Sequence, residues 1–236
     1  MRTIFACAPH SRNPNFLLRY ARAIIRMSSP TDSANPFPVW VRWTSLIWLA
    51  IWLTIYLKFW GANTFLFLCD IAVILTCLGL FTGNALLLSS QAVSSIVIDT
   101  AWLVDIATKL IFNRHLIGGT DYFFDTNYLL WVRLMSCFHI VLPFVLIAAV
   151  RRTGYDRRAL GLQFAIAAVV MIASRFAAPA RNINFVYLDP ILHRQWGPAP
   201  IHVVAMLLGM TLLIYVPTDI VLSRLFRSPM RERAHS

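Results

Sequence analysis

Long apolar runs, each close to 20 residues, leave this chain few folds to choose from. They lie near residues 39–60, 64–82, 84–106, 128–150, 159–178 and 199–222. A helix rising 1.5 Å per residue crosses a ~30 Å hydrocarbon layer in about 20 residues. A soluble domain would be roughly one quarter charged. This chain is 13% charged and 58% hydrophobic, with a mean hydropathy of +0.66. The expected class is all-α: a polytopic membrane protein with one bundle of about six transmembrane helices. Gly83-Asn84 makes the second connection a tight turn, while Gly154, Pro198 and Pro200 punctuate later boundaries. No internal repeat is visible, so an inverted-repeat transporter gains no support.

The net charge of +11 does not read as a nucleic-acid footprint, because the arginines sit at the ends of the apolar runs. Placing both termini in the cytoplasm puts Arg12, Arg19, Arg22, Arg26 and Arg42 inside, with Arg151, Arg152, Arg157 and Arg158 and the arginines of the C-terminal tail. Fewer cations remain outside: Lys58, Lys109, Arg114, Arg175, Arg181 and Arg194. Residues 1–38 form a basic arm, mobile or on the membrane surface, with a start at Met27 as an alternative. Residues 39–224 form the membrane domain and 225–236 a basic cytoplasmic tail. The cysteines Cys7, Cys69, Cys77 and Cys137 contain no CxxC, so neither a disulfide framework nor a metal site is indicated.

Against this apolar background the polar groups gather in the outer half of the expected bilayer. Cys69 and Asp70 fall side by side near the outer end of the second run. By helical rise Cys69 lies about 8 Å deep, Asp99 about 10 Å, and His139 about 16 Å, with Asp105 at the surface. Along the third run Gln91, Ser95, Asp99, Trp102 and Asp105 share a stripe of about 120°, which should face other helices. That stripe reads either as a hydrogen-bonded helix seam or as the wall of a wet pocket. The segment 113–127, NRHLIGGTDYFFDTN, reads as an interfacial loop, or as a lid in which Tyr122-Phe123-Phe124 dips back.

A thiol becomes a nucleophile when a base deprotonates it. His139 is the one histidine set well inside a run, so Cys69 and His139 are the candidate dyad, with Asp70 or Asp99 orienting the imidazole. Asn182 and Asn184 are candidate donors to an oxyanion or a headgroup, and Arg133 or Arg175 to a lipid phosphate. The depth gap between Cys69 and His139 closes if the fourth helix starts later, tilts, or kinks at Pro143. A His139–Asp99 contact of purely structural kind fits the spacing equally well. No second deep histidine completes a haem site, and no cofactor or metal is expected.

Three segments, FLCDIAVIL (67–75), FHIVL (138–142) and NINFVYL with Asp189-Pro190 and Gly197-Pro198-x-Pro200, resemble the YwaF-like bacterial integral membrane proteins. The resemblance covers about residues 60–222, although Ala199, Ile201 and His202 stand where aromatic residues are usual. Distant relatives are an animal lipid acyltransferase using cysteine and histidine, and the androgen-induced membrane hydrolases. The resemblance implies acyl transfer or hydrolysis on a lipid ester, with Cys69 as nucleophile and His139 as base. It adds Tyr187 to the supporting residues Asp70, Asp99, Gln91, Arg133, Arg175, Asn182 and Asn184. The expected partners are membrane lipids, a phospholipid or fatty-acyl ester, in the outer half of a bacterial inner membrane. The alternative is a non-catalytic transporter or assembly factor with a structural polar seam.

Overall fold

The computed structural model describes residues 35–226. Residues 1–34 of the expected arm and 227–236 of the expected tail lie outside the described residues. The chain runs α1 (Val39–Trp60), α2 (Leu68–Thr82), α3 (Ala85–Phe112), α4 (Asp121–Phe124), α5 (Leu130–Leu134), α6 (Phe138–Thr153), α7 (Ala159–Ser174), α8 (Ala199–Met210) and α9 (Val216–Leu225). Among the described residues there are no strands. Three helical stretches are long and apolar enough to cross a membrane: Val39–Trp60, Leu130–Thr153 and Ala199–Leu225.

The remaining expected spans depart from simple rods for visible reasons. The second run splits into a 3₁₀ turn (Ala62–Leu66) and the 15-residue α2, because Phe67 breaks the helix between them. The fifth run keeps only the 16 residues of α7, and Pro179 opens a new 3₁₀ turn. The third run is longer than expected, since α3 continues for 28 residues to Phe112 and stops at Asn113 in the left-handed region. In the fourth, α6 continues through Pro143, and the departure from α geometry falls at the 3₁₀ turn Met135–Cys137 instead. A π turn at Thr211–Tyr215 joins α8 to α9 and accommodates Pro217, which has no N–H to give the helix.

α3 lies at the centre, packed against α2, α6 and α7. Its tie to α2 is a close hairpin. Gly83 takes the left-handed conformation (φ 71°) that ends α2, and the Asn84 side chain accepts the Leu87 N–H at 3.1 Å to start α3. A Cβ on Gly79 would meet Leu88 Cγ at 2.9 Å, so the hairpin closes to near contact. α1, by contrast, fully buries only Leu49, Trp52 and Tyr56, a stripe at helical spacing flanked by the partly buried Leu53 and Trp60. Large apolar side chains remain on the outside, Phe176 at 87% and Leu213 at 79% exposure. A surface of that kind needs an apolar solvent.

Candidate functional site

The hairpin sets the level of each polar group. In two antiparallel helices joined by a tight turn, residues equidistant from the turn face each other. Thr76 is therefore level with Gln91, and Cys69 with Ile98 and Asp99. The sequence-derived depths had put Cys69 and Asp99 close together, and the turn brings them to the same layer.

Asp99 is fully buried and His139 is 5% exposed, with His139 Nδ1 and Asp99 Oδ1 2.7 Å apart. The Nδ1–H donates to the carboxylate, which fixes the tautomer and leaves Nε2 to face another group. The imidazole stacks on Trp102 (centroids 4.7 Å, 21° between planes) and on Phe138 (4.1 Å, 29°). Asp99, not Asp70, thus orients the ring. The Met135–Cys137 turn places His139 in the first turn of α6, at the level of the Asp99 layer.

Cys69 is the second residue of α2, so its N–H has no acceptor within its own helix. The start of that helix is clamped from far along the chain. Asn184 Oδ1 accepts the Leu68 N–H at 3.0 Å, and Asn184 Nδ2 donates to Leu66 O at 2.7 Å and to Ser174 Oγ at 3.0 Å. The Cys69 thiol approaches Asp70 Oδ1 only to 4.0 Å, and Asp70 Oδ2 accepts from Thr64 Oγ1 at 3.0 Å. Cys69 lies within electrostatic range of Asp70, Asp99, Tyr56 and Tyr122. No hydrogen bond joins Cys69 to His139 among the described residues.

The aromatic loop folds back over this layer. Trp102 Nε1 donates to Tyr122 Oη at 2.9 Å, Phe123 stands edge-on to Trp102 at 5.5 Å, and Trp60 packs on Tyr122 and Tyr128. Arg133 Nη1 donates to Phe123 O at 3.1 Å, so this cation holds the loop. Asp105 was expected at the surface but is 1% exposed, because the loop wraps it. Its Oδ1 accepts the N–H groups of Leu116 (2.7 Å), Ile117 (2.7 Å) and Gly118 (3.2 Å). Its Oδ2 accepts from Thr120 Oγ1 and contacts His115 Nδ1 at 2.9 Å.

The other expected binding residues are engaged with backbone. Asn182 Oδ1 accepts the Tyr187 and Leu188 N–H groups, both at 3.0 Å, and its Nδ2 donates to Leu188 O at 2.8 Å. Tyr187 Oη donates to Arg175 O at 2.7 Å, while Arg175 Nη1 donates to Val186 O at 3.1 Å and the guanidinium carbon lies 4.0 Å over the Tyr187 ring. A substrate that recruited Asn182, Asn184 or Arg175 would have to displace one of these bonds. Gln91 sits deeper in the bundle, donating Nε2 to Ser90 Oγ at 2.9 Å.

Sequence reasoning passed over Tyr56, Ser136, Thr64 and Gln163. Tyr56 Oη and Ser136 Oγ are 3.0 Å apart, and Gln163 Nε2 donates to Ser94 Oγ at 2.9 Å. Gln163 had a signal, as a lone amide inside the apolar stretch ALGLQFAIAAVVMIAS. Among the described residues, no group of three or more His, Cys, Asp or Glu side chains comes together to hold a metal. No protein-family model, curated protein or solved structure matches this chain.

Proposed function

We infer that the chain is an intramembrane acyl-transfer enzyme, acting on a lipid ester through Cys69 and His139. The observation that carries the reading is the buried Asp99–His139 bond of 2.7 Å, in the layer where Cys69 begins α2. An imidazole oriented by a carboxylate through Nδ1 is the arrangement a general base needs. The first turn of α2, whose N–H groups have no acceptor within the helix, puts the positive end of the helix dipole where an oxyanion would develop. In the reaction, Nε2 of His139 takes the thiol proton as Sγ attacks the ester carbonyl carbon. The tetrahedral adduct collapses to a thioester, and the proton goes to the departing alkoxide. A hydroxyl of a second lipid or of water then gives its proton to Nε2 and attacks the thioester, and the thiol is restored.

The same reading places about six spans in the membrane, with both termini on the arginine-rich, cytoplasmic side of a bacterial inner membrane. It keeps the likeness to the YwaF-like proteins as its source for the lipid substrate. A second reading, a non-catalytic transporter or assembly factor, is favoured by one observation: the side chains of Asn182, Asn184, Tyr187 and Arg175 are already tied to backbone.

The deciding experiment uses a long-chain acyl probe that traps a cysteine acyl-enzyme in membranes. The wild type is expected to label with a hydroxylamine-sensitive bond. Cys69→Ala should abolish labelling, and His139→Asn should slow it by about 100-fold, the lower end of general-base effects. Equal labelling of Cys69→Ala, with folding intact, removes the nucleophile and leaves the second reading.

A further inference from the structure

The stripe that carries Asp99 continues along α3 as Ser95 and Gln91, each one turn further from the aromatic loop. The three are 0%, 2% and 1% exposed. Each leaves an oxygen without a hydrogen-bond partner: Asp99 Oδ2, Ser95 Oγ and Gln91 Oε1. Across the hairpin Thr76, level with Gln91, leaves Oγ1 unpartnered, and Gln163 on α7 leaves Oε1. The Gln91 amide orientation is set by Ser90, whose Oγ donates to Leu87 O at 2.9 Å and so must accept from Gln91 Nε2. Gln91 Oε1 and Asp99 Oδ2 are therefore free acceptors, while the free Ser95 and Thr76 hydroxyls can both donate and accept. One buried acceptor left alone costs about 1–3 kcal/mol, and a native seam does not hold a series of them without a donor.

Spacing decides which donor fits. Residues four apart on a helix are separated by about 6 Å along its axis. One water making two hydrogen bonds of ~2.8 Å bridges about 5.6 Å. A desolvated cation, with contacts of ~2.4 Å, reaches only about 4.8 Å between its ligands. We propose that Gln91, Ser95 and Asp99, with Thr76 opposite, hold a single file of buried waters. This file passes protons between the Asp99–His139 pair and the end of the bundle that bears residues 154–158.

Toward that end the polar groups continue to Asp156, whose side chain is 21% exposed. Ser89 Oγ accepts the Asp156 N–H at 3.1 Å, next to Ser90 and Gln91. Tyr155, beside it, donates its hydroxyl to Asp219. At the other end the file meets the ring stack of Trp102, His139 and Phe138 under Tyr122. A file open at one end and closed by aromatics at the other delivers protons to the pair without leaking them across the membrane. Only O–H and N–H bonds are made and broken. The proposal does not rest on acyl transfer, because it concerns water and protonation rather than a lipid.

Water-edited solid-state NMR on the full chain in lipid bilayers tests the file. Magnetisation is expected to pass from water to Gln91 Cδ, Ser95 Cβ and Thr76 Cβ well before it reaches the fully buried Leu88 and Ala92. Arrival no earlier than at Leu88 overturns the proposal. The proton role is read by infrared after a pH jump, using the carboxyl band lost in Asp99→Asn. Gln91→Leu and Thr76→Val, which keep side-chain volume, are each expected to slow that band by about tenfold with an unchanged end point. Wild-type rates in both variants overturn the proton path. Acyl-probe labelling plays no part in either measurement, so an inert Cys69 would leave the result standing.

Discussion

One oxygen of Asp99 holds His139 and the other meets no protein group, so this residue is both an anchor and the end of a polar file. Removing it exposes which role carries stability. Asp99→Ala leaves the His139 Nδ1–H unpaired between aromatic faces, at a cost of about 1–3 kcal/mol, whereas Asp99→Asn keeps an acceptor there and should cost less. Thermal unfolding in detergent distinguishes them, and equal losses would show that the histidine contact is not the source. Asp189 is the corresponding residue outside the membrane helices. Burial pushes its carboxyl up, but the N–H groups of Leu192, Arg194 and Ile191 and the Trp196 indole outweigh this and hold it at about 2. A carboxylate depressed on folding stabilises above its unfolded value of about 4, and that contribution fades as pH falls toward 2. Trp196 fluorescence should therefore stay constant from pH 7 to about 4 and change as pH falls toward 2. In Asp189→Asn that acid step should vanish. The Asp99–His139 contact was among the pairings open to sequence reasoning, because both residues lie deep in apolar runs. The Asp189 cage was not, because it depends on backbone N–H groups whose directions only the folded loop fixes.

At the level of elements, α3 was the most legible part of the chain. Its polar residues recur at helical spacing, and Gln91, Ser95, Asp99 and Asp105 are all buried. The start of α2 was the least legible. Its cap comes from Asn184, a residue 116 positions away held in the left-handed region (φ 51°). No local pattern announces such a pairing, and the sequence suggested instead that this amide waits for substrate. Asn184→Ala removes an acceptor and two donor bonds and strains the backbone. It should cost about 1–3 kcal/mol and speed amide exchange at Leu68 and Cys69 above that in the rest of α2. Exchange that rises uniformly along α2 would count against the clamp. The loop after α3 shows the same limit: composition alone did not tell a lid from an interfacial loop, because Asp105 and Trp102 decide the matter through contacts.

The whole molecule is lopsided in its chemistry. One end carries the aromatic loop over the Asp99–His139 layer, and the other carries Arg151, Arg152, Arg157 and Arg158. The Leu130–Thr153 stretch connects the two ends and is long and apolar enough to cross a membrane. A cysteine placed at Gly118 and one placed at Arg157, each in a background with the native cysteines replaced, should react with an impermeant maleimide from opposite faces. Labelling of both from one face would remove this span and the topology built on it.

The two-residue turn at Gly83-Asn84 also bears on how the chain is made. Offered alone to the translocon, α3 would present Gln91, Ser95, Asp99 and Asp105 to lipid, and the aspartates alone would cost several kcal/mol. With α2 beside it the part of the stripe nearest the turn, where Gln91 is level with Thr76, is covered, and the turn is too short for one helix to integrate while the other waits. A glycosylation reporter fused after α3 is expected to show integration of the hairpin and failure of α3 by itself. On the six-span reading, membrane integration of residues 68–112 is a two-helix event that precedes translation of the histidine of α6.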